Sequence, residues 1–261
     1  MTLAKRDTPA AVLRLLTIPI SHYCEKARWA LDHARVPYVE ESHLPGLHIR
    51  STRKAGGKSV PVLVTAEKTL TDSADIVLYA DAHASQERKL YPSDPAARRE
   101  VDLVEALCNG ELARASRVFV YHHALPNPRA LVSAVRPSLT TLQAWLLPYL
   151  APIVGRKIRR LYRIDDASAA QAADTMRRCF TELGARLENT PFLAGDTFTA
   201  ADLTFACMSA SVIIPPVYGI PLPQPEVLPP SLASLVERAR EHPAGRYALS
   251  LFSDHRRLRA S

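Results

Sequence analysis

The chain has 261 residues and a formal net charge of +7, with 47% hydrophobic and 23% charged side chains. This length allows two domains of moderate size, and this composition is typical of a globular protein rather than a disordered or fibrous one. No apolar run approaches the roughly 18 uncharged residues that a membrane-spanning helix needs, so we expect no transmembrane segment. The N-terminal residues lack the long apolar stretch and cleavage site of a signal peptide, and we therefore expect a cytoplasmic protein.

Cysteines, histidines and basic residues give little sign of metal or nucleic-acid binding. The four cysteines are scattered without metal-type spacing, which indicates reduced thiols rather than a disulfide framework. The adjacent His122 and His123 would point about 100° apart on a helix, and no third ligand is spaced with them, so we expect no metal. The basic runs at 155–160 and 255–259 are short and carry no nucleic-acid-binding motif, which predicts solvated surface and no nucleic-acid partner.

The segment from residue 12 to residue 34 predicts a strand followed by a helix. The apolar run 12–20 has strand character and is interrupted at Pro19. Apolar and small residues then recur at spacings of three and four from Cys24 onward, which predicts a helix that begins at Ser21. Unpaired backbone N–H groups and the helix dipole favour negative charge at such an end. Ser21 is therefore either a simple N-cap or a hydroxyl at an anion-binding site.

A second strand and helix follow at residues 58–79. The run KSVPVLV at 58–64 places Pro61 among valines, and proline cannot donate to a β-ladder. Pro61 therefore fits at the first residue of a strand or after a cis peptide bond. After a short hairpin, Asp72 and Ser73 precede apolar residues at helical spacing, which predicts a helix N-terminus with a carboxylate and a hydroxyl.

The rest of the chain is predicted to be helical. Residues 86–95 contain two prolines and no periodicity, and they predict a linker between two domains. Beyond it, apolar periodicity predicts helices at about 96–120, 129–150, 166–188, 200–212, 232–240 and 244–255. Seven prolines among residues 215–230 exclude a helix there and predict an ordered extended loop beside the helical domain.

The sequence PFLAGDTFTAADL at 191–203 contains a predicted helix start. Thr199 and Asp202 have the spacing of a capping box, in which each side chain bonds the backbone N–H of the other residue. Taken with the Ser-x-x-Cys helix, the Val-Pro strand and the Asp-Ser helix, this segment resembles the glutathione transferase family. The resemblance is clear over about residues 11–90 and 185–210, and the other helices match only in outline.

The resemblance implies an α+β fold. A thioredoxin-like N-terminal domain with a mixed four-stranded sheet is expected at residues 11–88, and an all-α C-terminal domain that contributes the electrophile pocket is expected at 95–258. It also implies a detoxifying glutathione transferase with glutathione as co-substrate, a small apolar electrophile as the second substrate, and a twofold homodimer. Conjugation, reductive dehalogenation and isomerisation would all share the same activation of glutathione.

Site residues are also implied by the resemblance. Ser21 aligns with the serine or cysteine that begins the first helix in several transferase classes, and it would donate a hydrogen bond to the glutathione thiolate. Val60, before Pro61, would pair its backbone with the cysteinyl part of glutathione. Polar side chains would bind the two ends of the tripeptide: Lys58 the glycyl carboxylate, and Asp72 with Ser73 the γ-glutamyl group. For each of these residues a purely structural role stays open.

Cys24 admits two interpretations. It has the spacing of the second cysteine of a CxxC motif in which Ser21 replaces the first, so dithiol exchange is not available. Its place on the apolar helix face favours buried packing. The alternative is a mixed disulfide with glutathione, which would make the protein a glutathione-dependent thiol reductase. A further alternative is a non-catalytic protein of the same fold that carries apolar ligands.

Overall fold

A four-stranded mixed sheet organises the N-terminal part of the chain. The computed structural model describes residues 12–126, 132, 141–228 and 230–258. Its strands are β1 (Leu13–Thr17), β2 (Tyr38–Ser42), β3 (Val62–Val64) and β4 (Thr69–Leu70), in the spatial order β2-β1-β3-β4. The pair β1–β2 is parallel, and the pairs β1–β3 and β3–β4 are antiparallel, which confirms the predicted mixed sheet.

Three helices pack with this sheet: α1 (His22–His33), α2 (His48–Lys54) and α3 (Ser73–His83). Helix α1 connects the parallel strands β1 and β2, as a crossover must. The predicted helix starts are confirmed, since Ser21 is the N-cap of α1 and Asp72 is the N-cap of α3. Helix α2 was missed by the sequence analysis. It is only seven residues long and buries only Thr52, so it carries almost no apolar periodicity.

The second half of the described chain is helical. Helices α4 (Pro95–Leu107) and α5 (Ala113–Ala124) are joined by a π-helical turn at Cys108–Leu112. The helices that follow are α6 (Thr141–Leu161), α7 (Asp166–Arg186), α8 (Ala200–Ile213), α9 (Pro230–Glu241) and α10 (Pro243–His255). Helix α8 lies at the centre, buried on nearly all sides, and packs against α1, α4, α5 and α10. No helix in the described ranges is both long and apolar enough to cross a membrane.

The predicted helix 129–150 was wrong at its C-terminal end. Residues 129–131 and 133–140 of that prediction lie outside the described residues, whereas α6 continues to Leu161. Both Pro148 and Pro152 lie inside the observed helix, although each removes a backbone N–H donor. Apolar side chains at helical spacing along this helix line the cavity described below: Leu150, Val154, Ile158 and Leu161.

The capping box of the sequence analysis is confirmed at the start of α8. The Asp202 carboxylate accepts the Thr199 backbone N–H at 2.8 Å, and the Thr199 hydroxyl accepts the Ala201 N–H at 3.3 Å. The same buried carboxylate also accepts the backbone N–H of Leu193 at 2.9 Å and the hydroxyl of Tyr247 at 2.7 Å. Asp202 therefore holds together the segment before α8 and the last helix, α10.

The proline-rich segment 215–228 is an extended loop, as predicted, apart from a 3-10 turn at Pro225–Val227. It packs not only beside the helices but also against α1 of the N-terminal half. Tyr218 is buried and its hydroxyl lies 3.5 Å from the Ile20 carbonyl oxygen. Gly219 lies directly against the buried side chains of Glu25 and Arg28.

We expect Gly219→Ala to lower the free energy of unfolding by about 1–3 kcal/mol, the usual cost of overpacking. A Cβ at this position would overlap the Glu25 carboxylate, which cannot move aside because Arg28 and Arg256 hold it. Urea unfolding measures the effect. Gly110→Ala is the matched control, because a Cβ there meets nothing within 4 Å. Equal stability of the two variants would contradict the prediction.

Candidate active site

A cavity of about 920 Å³ lies between the sheet-containing half and the helical half. Its N-terminal wall includes Ser21, Tyr23, Lys58 and Val60, and its helical wall comes from α5 and α6 and from the proline-rich loop. Ligand pockets in proteins usually measure about 300–1,000 Å³, so this cavity has room for a peptide-sized ligand and a second small molecule.

Ser21 lies half-buried at the wall of this cavity, where the chain turns from β1 into α1. Its backbone is extended (φ −72°, ψ 121°), as an N-cap requires, and its Oγ accepts the backbone N–H of Cys24 at 3.4 Å. This bond uses an oxygen lone pair and leaves the hydroxyl proton available for donation. The capping role and a donor role are therefore compatible in one side chain.

Cys24 lies one turn further along α1 and is fully buried. The Ile18 backbone N–H donates to its Sγ at 3.5 Å. Burial raises the pKa of the Cys24 thiol, and the opposing effects of the Arg28 charge and a hydrogen bond with Ser21 are smaller. A thiol needs to be ionised and accessible to react, so this environment favours packing over thiol chemistry.

Lys58 and Val60 both reach the cavity, Lys58 as an exposed side chain at its rim. The Val60–Pro61 peptide bond is cis, and Pro61 is followed directly by β3. Of the two sequence-based alternatives for Pro61, the cis peptide bond is found, whereas the strand begins one residue later, at Val62. The backbone N–H and C=O of Val60 make no hydrogen bond to another residue in the described ranges. Both groups are therefore available to a partner outside the described protein.

Asp72 and Ser73 lie at the start of α3 and do not line the cavity themselves. The Asp72 carboxylate is exposed and accepts the Ala74 N–H at 2.8 Å, whereas Ser73 is buried. The Asp72 carboxylate lies close enough to Tyr23 for its charge to act on the phenol. Burial raises the pKa of the Tyr23 phenol, and the nearby Asp72 charge acts in the same direction.

Arg117 of α5 is a charged side chain at this site that the sequence analysis missed, as is Lys157 of α6, which was predicted to be solvated surface. The Arg117 guanidinium carbon lies 5.2 Å from the centre of the Tyr23 ring and 5.0 Å from that of the Tyr162 ring. Its nitrogens lie 3.2 Å from the Tyr162 hydroxyl and 3.4 Å from His22 Nε2. Since a guanidinium can only donate, His22 Nε2 must accept and the imidazole must be neutral. Burial, with the Arg117 charge, lowers the pKa of His22 to about 3, which agrees with this arrangement.

The sequence contained one signal for Arg117. The residue lies at helical spacing with Ala113, Val120 and Ala124, so it is a charge on an otherwise apolar helix face. Tyr162 and the loop residues Tyr218 and Leu222, which also line the cavity, carry no periodic signal. No cluster of three or more His, Cys, Asp or Glu side chains that could hold a metal ion occurs in the part of the chain that the structure describes.

The fold combines a mixed-sheet half and a helical half with a large cavity between them. Residues 15–88 match the N-terminal domain of glutathione S-transferases, and residues 166–260 match their C-terminal domain. The chain belongs to the glutathione transferase family.

Known proteins similar to this chain come from plants and bacteria. Glutathione S-transferase TCHQD of Arabidopsis thaliana is 24% identical over 201 residues, which is 73% of each chain. The crystal structure of a serine-to-cysteine variant of poplar glutathione transferase F1 has a TM-score of 0.60 at 14% identity and covers 94% of both chains. A glutathione S-transferase from Methylobacterium radiotolerans, in complex with glutathione sulfonate, has a TM-score of 0.54 at 17% identity and covers 96% of this chain and 97% of the other.

Proposed function

We propose that the protein is a glutathione transferase in which the Ser21 hydroxyl donates a hydrogen bond to the thiolate of bound glutathione. One observation carries this proposal. The Ser21 side chain, at the N-terminus of α1, lines a cavity that extends without interruption to the helical half. A hydroxyl donor and a helix N-terminus both favour the ionised sulfur.

We assign the rest of the proposed glutathione site from the positions of the neighbouring residues. The backbone of Val60, before Pro61, pairs with the cysteinyl residue, and Lys58 at the rim binds the glycyl carboxylate. Asp72 and Ser73 bind the γ-glutamyl end at the start of α3, which is favourable for a carboxylate. We further propose two domains at 11–88 and 95–258, a cytoplasmic homodimer and a detoxifying role.

The proposed reaction accounts for the proton, the bond that forms and the bond that breaks. The glutathione thiol releases its proton to solvent, and the Ser21 hydroxyl stabilises the resulting thiolate. The sulfur lone pair then forms a bond to an electrophilic carbon, and the leaving group departs with the electron pair of the broken bond. Ser21 is a hydrogen-bond donor throughout and forms no covalent bond.

Titration of the bound glutathione thiol tests this function. Thiolate absorption in the ultraviolet is followed against pH in wild type, Ser21→Ala and Ser21→Thr. We expect wild type and Ser21→Thr to hold the thiol pKa below the free value of about 8.5. In Ser21→Ala the pKa should rise by about one unit or more, equivalent to about 1.4 kcal/mol per unit.

Ser21→Gly separates the donor role from helix capping. Glycine costs only a few tenths of a kcal/mol at an N-cap, whereas alanine costs about 1 kcal/mol. A pKa that rises equally in the Ala and Gly variants supports the donor role. Bound glutathione with an unshifted thiol pKa in wild type would contradict the proposal and favour a carrier of the same fold. Activity that survives in Ser21→Ala but is lost in Cys24→Ala would favour the thiol reductase.

A further inference from the structure

The cavity wall carries positive charge. Among the residues that the structure describes, its lining includes Lys58, Arg117 and Lys157 and no aspartate or glutamate. Lys58 and Lys157 are exposed at the rim, whereas Arg117 is partly buried inside. The remaining helical wall is largely apolar, built from side chains such as Val120, Leu150, Val154 and Ile158.

Arg117 has no carboxylate partner within ion-pair distance among residues 12–126, 132, 141–228 and 230–258. The residues outside these ranges contain a single acidic side chain, Asp7. Arg117 therefore contrasts with the deeply buried arginines Arg28 and Arg256, each of which has carboxylate partners. A partly buried cation without a counter-ion is costly unless a ligand supplies one.

The surroundings of Arg117 orient its guanidinium but leave donors unused. A guanidinium carries five N–H donors, and the contacts to Tyr162, His22 and Tyr23 use only some of them. The rings of Tyr23 and Tyr162 both lie within cation–π distance of the group and help to hold it in place. A planar fork held in this way matches a carboxylate, with which it can form two parallel hydrogen bonds.

We propose that the second substrate of this transferase is an apolar electrophile that carries a carboxylate, and that Arg117 binds this carboxylate. The inference rests on the proposed function, because it assigns the electrophile half of the same cavity. The apolar body of the substrate lies along α5 and α6. Its charged end reaches Arg117, and its electrophilic carbon faces the glutathione sulfur near Ser21.

Binding of glutathione conjugates by calorimetry tests the inference. The probes are S-(3-carboxybenzyl)- and S-(4-carboxybenzyl)glutathione, each compared with the matching neutral carboxamide, which has nearly the same shape. S-methylglutathione reports the glutathione site alone. In wild type we expect one carboxylate isomer to bind about tenfold more tightly than its amide, equivalent to about 1.4 kcal/mol.

Two variants at position 117 and one control test whether Arg117 causes the preference for the carboxylate. Arg117→Gln keeps a donor toward Tyr162 without the charge and should abolish the preference for the carboxylate, whereas Arg117→Lys should keep part of it. Arg114→Gln is the matched control, since Arg114 is an exposed arginine on the same helix, and it should leave the preference unchanged. S-methylglutathione should bind equally well to all four proteins.

The possible outcomes separate this inference from the proposed function. Absence of a carboxylate preference in wild type, or its survival in Arg117→Gln, overturns the inference. Equal weakening of S-methylglutathione and of the carboxylate conjugates in Arg117→Gln also overturns it, because Arg117 would then bind glutathione itself.

A second experiment tests the carboxylate site independently of glutathione, by measuring the binding of biphenyl-4-carboxylate and its amide without glutathione. If S-methylglutathione does not bind, an Arg117-dependent preference in this pair supports the carboxylate site while the transferase function fails.

Discussion

Arg256→Met should lower the free energy of unfolding by about 3–5 kcal/mol, the usual cost of removing one partner from a buried ion pair. Arg256 is only 3% exposed, and its Nε donates to Glu25 at 2.7 Å while its Nη1 donates to Asp32 at 2.9 Å. Both carboxylates belong to α1. Arg256, the residue just after α10, therefore links the C-terminal end of the described chain to α1. Urea unfolding at neutral pH measures the loss.

The pH dependence of this loss identifies its electrostatic origin. Burial raises the pKa of the Asp32 carboxyl, and Arg256 opposes that shift. In Arg256→Met, the pKa of the Asp32 carboxyl should rise further above the value that it has in the unfolded chain. A carboxyl with a raised folded pKa destabilises the native state at neutral pH, and this cost is relieved as the pH falls through the folded pKa. The deficit of Arg256→Met should therefore be smaller at about pH 5 than at about pH 7.

Arg257→Met is the matched control for this prediction. Arg257 is the next residue and is exposed, so its substitution should change stability by at most about 0.5 kcal/mol. A deficit of Arg256→Met that does not change with pH would indicate lost packing rather than lost charge. Equal stability of the two variants would contradict the prediction entirely.

Lys26→Met should also cost about 3–5 kcal/mol of unfolding free energy, because it leaves a buried carboxylate without its cation. Lys26 of α1 is fully buried and lies 2.8 Å from Glu105 of α4. Glu105 also accepts the hydroxyls of Tyr91 and Thr204, each at 2.8 Å. This cluster connects the two halves of the molecule behind the cavity, and urea unfolding again measures the loss.

A double variant tests whether the loss comes from the uncompensated charge. Lys26→Met combined with Glu105→Gln removes both charges and keeps one acceptor oxygen, while the amide NH2 takes the place of the other oxygen and can donate to a hydroxyl. The loss of unfolding free energy in the double variant should be smaller than the sum of the losses in the two single variants, and a double-mutant cycle measures this difference. Arg177→Met is the control, since the Arg177–Asp174 pair is about 70% exposed and should contribute less than about 1 kcal/mol. Strict additivity of the two buried substitutions would contradict the prediction.

The local signals in the sequence predicted much of the fold. Ser21, Asp72 and Thr199 were each predicted at a helix start, and each bonds a backbone N–H two or three residues ahead. Interactions that close within one helical turn depend on residue type and spacing alone, so they are visible in a linear pattern. The missed helix α2 and the early end predicted for α6 show the limit of this approach. Helix α2 buries a single side chain, and α6 continues past two prolines with several exposed apolar side chains, so neither feature carries the regular buried face on which a periodicity-based prediction relies.

The candidate site was predictable only on its N-terminal side. Ser21 and the segment from Lys58 to Pro61 come from short motifs, and they met at one cavity once the sheet formed. Arg117 lies 95 positions from His22 in the sequence, and Arg256 lies 231 positions from Glu25. The sequence by itself determined the helix caps and the short motifs around Ser21 and Pro61, because these depend on neighbours along the chain. Only the tertiary structure decided the cationic helical wall and the buried ion pairs, because packing alone brings such distant residues within hydrogen-bond distance and excludes water from them.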